Sequence, residues 1–203
     1  MRDKKTHPLR LEGRGVVLEE IRPEFFEYVI RWRNDPELNK FLNQPELLTM
    51  EKETAWYENR YLPDDTQGFL IMVDKKTGTP FGTNGWTDMD LEKRQCISGR
   101  LLLGNPAYRN TGQLLESFFL QGDYVYQFVD RIYAHIGKKN RRALHINKLL
   151  GLHPNKGTIQ YPEELFVQGD HSQPQIEYMR TREEYEKIKK VMFTNIVDLL
   201  YAD

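Results

Sequence analysis

The sequence predicts a single mixed α/β domain built around a largely antiparallel sheet. Strand-like and helix-like segments alternate along the chain, and three strand candidates follow one another in its middle. Hydrophobic residues make up 39% of the 203 residues, which is enough for one sizeable core. We place the domain at residues 9–203, after a lead-in at residues 1–8 whose mixed, basic character continues to residue 14.

The first third of the chain predicts one strand and two helices. Val16–Leu18 is a short apolar strand candidate. Pro23 suits the first position of a helix, because its fixed φ matches the helical value. That helix should end at Asn34–Pro36, since a residue before proline avoids the helical region. Thr49 suits the N-cap of a second helix over residues 50–62.

The middle of the chain predicts a meander of three strands. They are Phe69–Val73, Phe81–Trp86 and Gln95–Leu103. The first two are joined by a hairpin-type loop at Lys76–Gly78, and a turn at Asp88–Lys93 leads into the third. Short connections of this kind place consecutive strands antiparallel, so these segments should form a meander within the sheet.

Helices and strands alternate beyond the meander. The predicted elements are a long helix to Val129, a strand Arg131–Ile136, a helix Arg141–Leu150, a hairpin of Leu165–Val167 with Gln175–Met179, and a helix Glu183–Tyr201. Gly122 in the long helix costs about 1 kcal/mol relative to alanine, which predicts close packing there. Gly151 follows the shorter helix and suits its C-terminal cap.

Composition excludes several classes of protein. The net charge is -1, whereas dedicated nucleic-acid binders usually carry a clear basic excess. Cys96 is the single cysteine and the five histidines are scattered, so we expect no disulfide and no metal site. No apolar run approaches the roughly 20 residues that span a bilayer, and no apolar signal core follows Met1. We therefore expect a cytoplasmic protein without membrane or nucleic-acid partners.

The segment Asn105–Leu115 predicts an anion site. An apolar strand runs into a turn there, and the turn opens the long helix. The N–H groups of a helix's first turn lack intrahelical partners, and the helix dipole makes that end positive, so phosphate binds well at such a place. The site is not a P-loop, because no Gly-Lys-Ser/Thr follows Gly112.

Three stretches resemble the GCN5-related N-acetyltransferase (GNAT) superfamily, in the branch of ribosomal-protein N-terminal and aminosugar acetyltransferases. Arg109–Leu114 stands where the family has Arg/Gln-x-x-Gly-x-Gly/Ala. Asn140–Leu152 is similar to the family helix that begins Asn-x-x-Ser/Ala and ends in apolar-Gly-Phe/Leu. Trp32–Pro36 is a common end of the first helix in this branch. The order of elements also matches over nearly the whole chain.

The resemblance implies acetyl-CoA as co-substrate, in a cleft where two neighbouring strands of the sheet splay apart. Pantetheine would follow the end of one strand, the pyrophosphate would lie on backbone N–H groups of the turn, and Asn140 would contact the cofactor from the opposite wall. The implied cofactor residues are Leu101, Leu102, Leu103, Arg109, Asn110, Thr111, Gly112, Gln113, Leu114, Leu115, Asn140, Arg142 and Asn147. Lys138, Lys139 and Arg141 could offset phosphate charge nearby or form a solvated basic run.

Two positions depart from the family pattern. Leu114 stands where the family has glycine or alanine, and Asn147 stands where many members have a tyrosine. That tyrosine usually gives a proton to the departing CoA thiolate. Asparagine can donate a hydrogen bond to a thiolate but cannot give up a proton at neutral pH. Turnover and cofactor binding without turnover therefore both stay open.

The implied reaction is direct attack of a neutral amine on the thioester. Backbone N–H groups near Leu102 or Leu103 could polarise the carbonyl. The strand Gln95–Leu103 carries no acidic residue, so the general base must lie elsewhere. Asn147, His135 and Asp88 are the predicted catalytic residues, and His145 and Asp90 are further base candidates. Each has a structural alternative: a packed or solvated histidine, or an aspartate that forms a turn.

The sequence also offers candidate residues for binding the acceptor. Arg33, Asn34 and Trp86 are the candidate acceptor residues, with a helix end and core packing as their alternatives. Tyr57 could also wall the pocket, and Cys96 is more typical of a buried thiol than of a nucleophile. We expect a primary amine of a small molecule, such as an aminosugar, and a monomer or homodimer. The alternatives are a CoA-binding sensor or interaction module, and a protein N-terminal acetyltransferase.

Overall fold

The computed structural model describes residues 3–42, 44, 46–159, 175–197 and 201. Its strands are β1 (Arg10–Glu12), β2 (Val16–Glu20), β3 (Gly68–Asp74), β4 (Pro80–Asp90), β5 (Gln95–Leu103), β6 (Arg131–Gly137), β7 (His153–Ile159) and β8 (Gln175–Thr181). Its α-helices are α1 (Phe26–Asn34), α2 (Pro36–Asn39), α3 (Met50–Trp56), α4 (Gly112–Val125), α5 (Arg141–Leu149) and α6 (Arg182–Met192).

The strands form one sheet in the order β1-β2-β3-β4-β5-β6-β8-β7. Neighbouring strands run antiparallel except β5 and β6, which are parallel because the α4 crossover joins them. The predicted fold class, an α/β domain with a mostly antiparallel sheet and flanking helices, is therefore confirmed.

Helices cover both faces of the sheet, and each face has its own core. Leu70 and Met72 of β3 pack in the cluster that α4 and α6 close. Phe69 and Ile71 alternate with them and pack on the opposite face, under α1 and α3. Every residue of β3 is buried for this reason, which explains why its sequence is a continuous apolar run.

The sheet opens between β5 and β6. The two strands pair only from Gln95 to Ile97, opposite Arg131 to Tyr133. On its other side β5 stays paired with β4 up to Leu103, with one extra residue in β5 between Gly99 and Leu102. Arg100 lies in this bulge with φ +56°, a conformation that L side chains rarely adopt. The edge of β5 from residue 98 onward is thus free of β6.

The N-terminal edge of the sheet differs from the sequence prediction. β1 forms at residues 10–12, within the stretch expected to be a loose lead-in. It pairs with β2, and the preceding Lys4 is buried, with Nζ donating to the carbonyl oxygens of Tyr61 and Gln67 at 3.0 and 2.9 Å. The sequence did not predict β1, because a strand held by backbone pairing and one anchored lysine shows no apolar periodicity.

One strand boundary was wrong, and one strand, β7, was not predicted. β4 continues to Asp90, so the turn expected at Asp88–Lys93 begins later; Asp88 itself takes φ +53° within the irregular end of the strand. β7 pairs with β8 although its sequence contains proline and glycine and shows no alternation. The predicted partner strand Leu165–Val167 lies outside the described residues, whereas β8 forms where it was expected.

The helices follow the prediction with shorter α-helical spans. α4 ends at Val125, four residues before the predicted end at Val129. α6 ends at Met192, and a wider π-helical turn continues to Val197. The close packing predicted at Gly122 is confirmed, because a Cβ there would lie 2.6 Å from the Tyr185 ring.

Candidate active site

The free edge of β5 leads directly into the turn that was predicted to bind an anion. Asn105 fixes the start of this turn, since its N–H donates to the Phe81 carbonyl at 2.9 Å and its side chain accepts from Ala107 N at 3.0 Å. Tyr108 stacks on Phe81 with ring centroids 4.2 Å apart, and its hydroxyl donates to Asp74 at 3.0 Å. The turn is therefore anchored to the sheet before α4 begins.

Thr111 is the N-cap of α4. Its hydroxyl accepts from Leu114 N at 3.3 Å, and its carbonyl accepts from Leu115 N at 3.2 Å. Its own N–H donates to the Tyr108 carbonyl at 3.3 Å. Three of the six backbone donors predicted to hold a pyrophosphate are thus already hydrogen-bonded inside the protein.

The other three backbone donors are available. Across the described part of the chain, no hydrogen-bond acceptor lies against the N–H groups of Asn110, Gly112 and Gln113. Asn110 has φ +62°, so the chain turns sharply just before the helix. Successive free N–H groups at a positive helix end form an anion-binding concavity. These three amides, with the free edge of β5, fit an elongated thioester that ends in a pyrophosphate.

Gly112 and Leu114 have structural roles that the sequence did not reveal. Gly112 is buried, and a Cβ there would lie 3.0 Å from the Tyr201 ring. Tyr201 donates to the buried Glu116 at 2.6 Å, and Glu116 also accepts from Arg14 N at 2.7 Å. Leu114 packs half-buried against the main core. The Leu114 side chain therefore contributes to the packing of the core.

The opposite wall of the opening is formed by α5. Asn140 is its N-cap, and its side chain accepts from Ala143 N at 3.1 Å. Asn147 lies two turns further along the helix and donates to the Ala143 carbonyl at 2.8 Å. Lys138, Arg141 and Arg142 are exposed around the start of this helix. Both asparagines thus stabilise α5, Asn140 as an acceptor and Asn147 through one of the two hydrogens of its amide.

The predicted acid and base candidates lie on separate elements. His135 is on β6, with its Nε2 3.4 Å from Glu177 of β8. Asp88 is exposed near the end of β4, next to the residue that pairs with Ile97. Asp90 accepts from the N–H groups of Glu92 and Lys93, as expected of an aspartate that forms a turn. His145 is exposed on α5.

The predicted acceptor residues separate into two groups. Trp86 is buried in the core, 5.5 Å from the Tyr124 ring, and its Nε1 has no hydrogen-bond partner in the described residues. Asn34 fixes the segment before α3, since its side chain donates to Leu48 O at 2.8 Å and accepts from Leu48 N at 2.9 Å. Arg33, the preceding residue, instead belongs to a cluster of charged side chains.

This cluster joins α1, α3 and the β5 bulge and consists of Arg33, Glu53 and Arg100. The Arg100 guanidinium lies 5.3 Å from the Trp56 ring centroid and 5.0 Å from that of Phe69, and it donates to Gln67. Glu53 is 4% exposed.

Burial shifts the pKa of all three groups. It lowers the pKa of the Arg100 guanidinium to about 10 and lowers that of Arg33. It also raises the pKa of the Glu53 carboxyl, and this effect outweighs the two arginines, which act in the opposite direction. The charged forms of all three side chains are therefore partly desolvated.

Glu53 and Arg100 were missed by sequence reasoning, although signals for both exist. Glu53 precedes Tyr57 and Tyr61 at intervals of four residues, and both tyrosines are buried. This spacing places a carboxylate on the buried face of the helix. Arg100 interrupts an apolar strand directly after Gly99, a pattern compatible with a bulge.

The architecture matches a known family. The model of the acetyltransferase (GNAT) domain matches residues 16–153, more than half of the chain. The chain belongs to the GNAT acetyltransferase family. The GNAT resemblance is thereby confirmed, and acetyl-CoA as co-substrate is consistent with this family. The branch and the acceptor stay predictions.

Several known proteins are similar to this GNAT chain. Acetyltransferase PseH of Campylobacter jejuni is 21% identical over 127 residues, which cover 63% of this chain and 76% of PseH. The Vibrio cholerae spermidine N-acetyltransferase, solved with CoA and spermine, has a TM-score of 0.71 at 15% identity and covers 85% of this chain and 98% of its own. A GCN5-related N-acetyltransferase of Brucella melitensis has a TM-score of 0.74 at 17% identity, covering 93% and 85%.

Two further structural findings concern membrane-spanning helices and metal sites. Of the helices within the described ranges, none is both long and apolar enough to cross a membrane. In the same ranges, no group of three or more histidine, cysteine, aspartate or glutamate side chains is arranged to hold a metal ion. The Cys96 thiol is buried, and burial raises its pKa to about 12.

Proposed function

We propose that this protein transfers an acetyl group from acetyl-CoA to a primary amine of a small molecule by direct attack. The observation that carries the proposal is the free edge of β5 leading into the unpaired N–H groups of Asn110, Gly112 and Gln113. An extended strand edge suits the amide groups of pantetheine, and the helix end suits the pyrophosphate. Family membership supports the same donor.

Each part of the proposed site has one task. The N–H groups before and within the first turn of α4 hold the diphosphate, and the exposed cations Arg141 and Arg142 lower the local cost of its charge. Backbone N–H groups of the β5 edge orient the thioester and polarise its carbonyl oxygen. Asn147 offers an amide hydrogen to the departing sulfur, and the proton itself comes from the amine or from water.

The acceptor is proposed to be a small amine such as an aminosugar. The family resemblance and the spermidine enzyme among the solved neighbours support a small molecule. The competing function is a CoA-binding sensor with little turnover. Asn147 favours it, because the side chain at this position cannot supply a proton and already donates within α5. A protein N-terminal acetyltransferase stays the third alternative.

Thermal melting with and without CoA tests the cofactor part. A ligand that binds only the folded state at 100 times its Kd stabilises that state by about 2.7 kcal/mol. For a chain of this length this corresponds to a rise in Tm of roughly 5–10 °C. Thiol release from acetyl-CoA with an amine panel then separates an enzyme from a sensor. No shift at saturating CoA would rule out both.

A further inference from the structure

Tyr201 connects the segment after α6 to the first turns of α4. Its hydroxyl donates to Glu116 Oε2 at 2.6 Å, although the two residues are 85 positions apart in the chain. Glu116 lies one turn after Gly112 and is 3% exposed. Its carboxylate also accepts from the N–H groups of Arg14 and Gly15, between β1 and β2, at 2.7 and 3.1 Å. With these three donors the buried carboxylate is well compensated.

Glycine at three positions makes room for this pair of side chains. A Cβ at Gly13 would lie 2.5 Å from the Glu116 carboxyl carbon, and one at Gly15 would lie 2.6 Å from the Tyr201 ring. A Cβ at Gly112 would lie 3.0 Å from the same ring. Side chains at the first two positions would displace Glu116 or Tyr201, because packed interiors leave no spare volume. The fold therefore provides a specific position for Tyr201, between the β1–β2 turn and the start of α4.

The Tyr201 ring adjoins the proposed diphosphate site without pairing with its donors. It lies on the side of Gly112 from which a side chain would project, whereas the Gly112 N–H has no acceptor among the described residues. The free N–H groups of Asn110 and Gln113 lie on either side of Gly112 in the chain. A helix start frays readily, because its N–H groups lack intrahelical partners. A ring fixed against Gly112 therefore restricts the positions that these donors can take.

We propose that Tyr201 is a positioning residue for the cofactor: docked on Glu116 and Gly112, it holds the start of α4 in the arrangement that binds the diphosphate of acetyl-CoA. This inference rests on the donor site of the proposed function. Linkage is reciprocal, so CoA binding stabilises the docked Tyr201 by the same free energy by which docking raises CoA affinity. Affinity for CoA thus depends on Tyr201 through its contact with Gly112.

The hydroxyl and the ring of Tyr201 have separate tasks. The hydroxyl anchors the side chain on Glu116, and the ring contacts Gly112. Without Tyr201, Glu116 keeps the backbone donors of Arg14 and Gly15, so it does not become an uncompensated buried charge. Variants of Tyr201 should therefore fold, and their effect on CoA binding can be measured apart from their effect on stability.

Calorimetric titration of CoA into wild type and three variants, Tyr201→Ala, Tyr201→Phe and Tyr185→Phe, tests the proposal. Tyr201→Ala should raise the Kd for CoA about fivefold or more. Tyr201→Phe keeps the ring and loses the anchor, so its Kd should lie between those of wild type and Tyr201→Ala. Tyr185→Phe is the matched control, because the Tyr185 hydroxyl donates to the Phe119 carbonyl and to Asp123, at 2.8 and 2.6 Å, in the second half of α4. It should melt below wild type and bind CoA with the wild-type Kd.

Other outcomes would overturn the proposal. Tyr201→Ala with the wild-type Kd would remove Tyr201 as a positioning residue; if Tyr201→Ala does not fold, a wild-type Kd of Tyr201→Phe would do the same. Equal weakening by both variants would remove the contact between the ring and Gly112 as the cause. Weakening by Tyr185→Phe to the same extent would make the effect a general loosening of α4. A wild type that binds no CoA would instead refute the donor site itself, and this inference with it.

Discussion

The two sides of strand β5 are built in different ways. Toward the opening to β6, β5 presents the backbone of its free edge. The N–H groups of Asn110, Gly112 and Gln113 follow at the start of α4, and no acceptor among the described residues pairs with them. Toward α1 and α3 lie three charged side chains, Arg33, Glu53 and Arg100, each from a different element. The backbone side is the proposed place of the pantetheine and the diphosphate, whereas the side-chain side is a buried charged cluster.

Variants on the two sides of β5 should therefore differ in what they impair. A change on the backbone side should weaken CoA binding and leave the preference among amines unaltered. A change on the side-chain side should alter stability while CoA still binds. The two largest predicted effects come from one variant on each side, and each of these is paired with a control that changes the same residue type elsewhere.

Arg100→Ala should have the largest effect among these variants. It removes one of two cations near the buried Glu53 and the packing on Trp56 and Phe69. We expect a loss of about 2–3 kcal/mol in the free energy of unfolding, or roughly 5–10 °C in Tm. The control is Arg31→Ala, because Arg31 is exposed on α1. A melting curve of Arg100→Ala that superimposes on wild type would contradict a structural coupling between Arg100 and Glu53.

Gln113→Glu should have the next largest effect, on the backbone side. The change is isosteric and places a negative charge among the free N–H groups of Asn110 and Gly112. Acidic residues stabilise a helix start, so the Tm without ligand should stay the same or rise, while the Kd for CoA rises about tenfold. Gln127→Glu, at an exposed site after α4, should leave the Kd unchanged. Equal CoA affinity of Gln113→Glu and wild type would place the diphosphate elsewhere.

Asn147→Tyr should have a smaller effect and concerns the wall formed by α5. A phenol there can give a proton to the departing sulfur, which the asparagine cannot. We expect kcat for thiol release to rise by a few-fold, on the order of 2 to 10 times, since water already serves as a proton source. Asn147→Phe offers the ring without the hydroxyl. If both variants behave alike, proton supply does not limit turnover.

The smallest expected effect is on the pH dependence of stability. The folded-state pKa of Glu53 is raised by burial, so ionisation of Glu53 destabilises the fold above that pKa. Glu53→Gln removes this penalty and should melt higher than wild type near pH 8. The advantage should shrink as the pH falls through the folded pKa and vanish below the unfolded value. A difference in Tm that does not change between pH 4 and 8 would show that the Glu53 pKa is unshifted.

The two sides of β5 also differ in how far sequence predicts them. The strand–turn–helix at Asn105–Leu115 is local in sequence, so its position could be predicted directly, and the anion proposed for it stays a prediction. Which N–H groups are free could not, because the pairing of Thr111 with Tyr108 and Leu114 depends on the folded turn.

The charged cluster could not be assembled from sequence, because its members are far apart in the chain. Glu53 and Arg100 are separated by 47 residues, and only packing of α3 on β3 and the bulge in β5 bring them together. Arg33 was predicted as an acceptor residue, without the two partners that the fold brings to it. The same limit explains β7, whose sequence lacks alternation and whose pairing with β8 is long-range.

Calorimetric titration of CoA into wild type, Gln113→Glu and Glu53→Gln tests the central claim most directly, that the backbone side of β5 binds the cofactor and the charged cluster on its other side does not. Wild type and Glu53→Gln should bind CoA with equal Kd, and Gln113→Glu should bind about tenfold more weakly. Weakening by Glu53→Gln to the same extent as by Gln113→Glu, or no binding by wild type, would contradict the account.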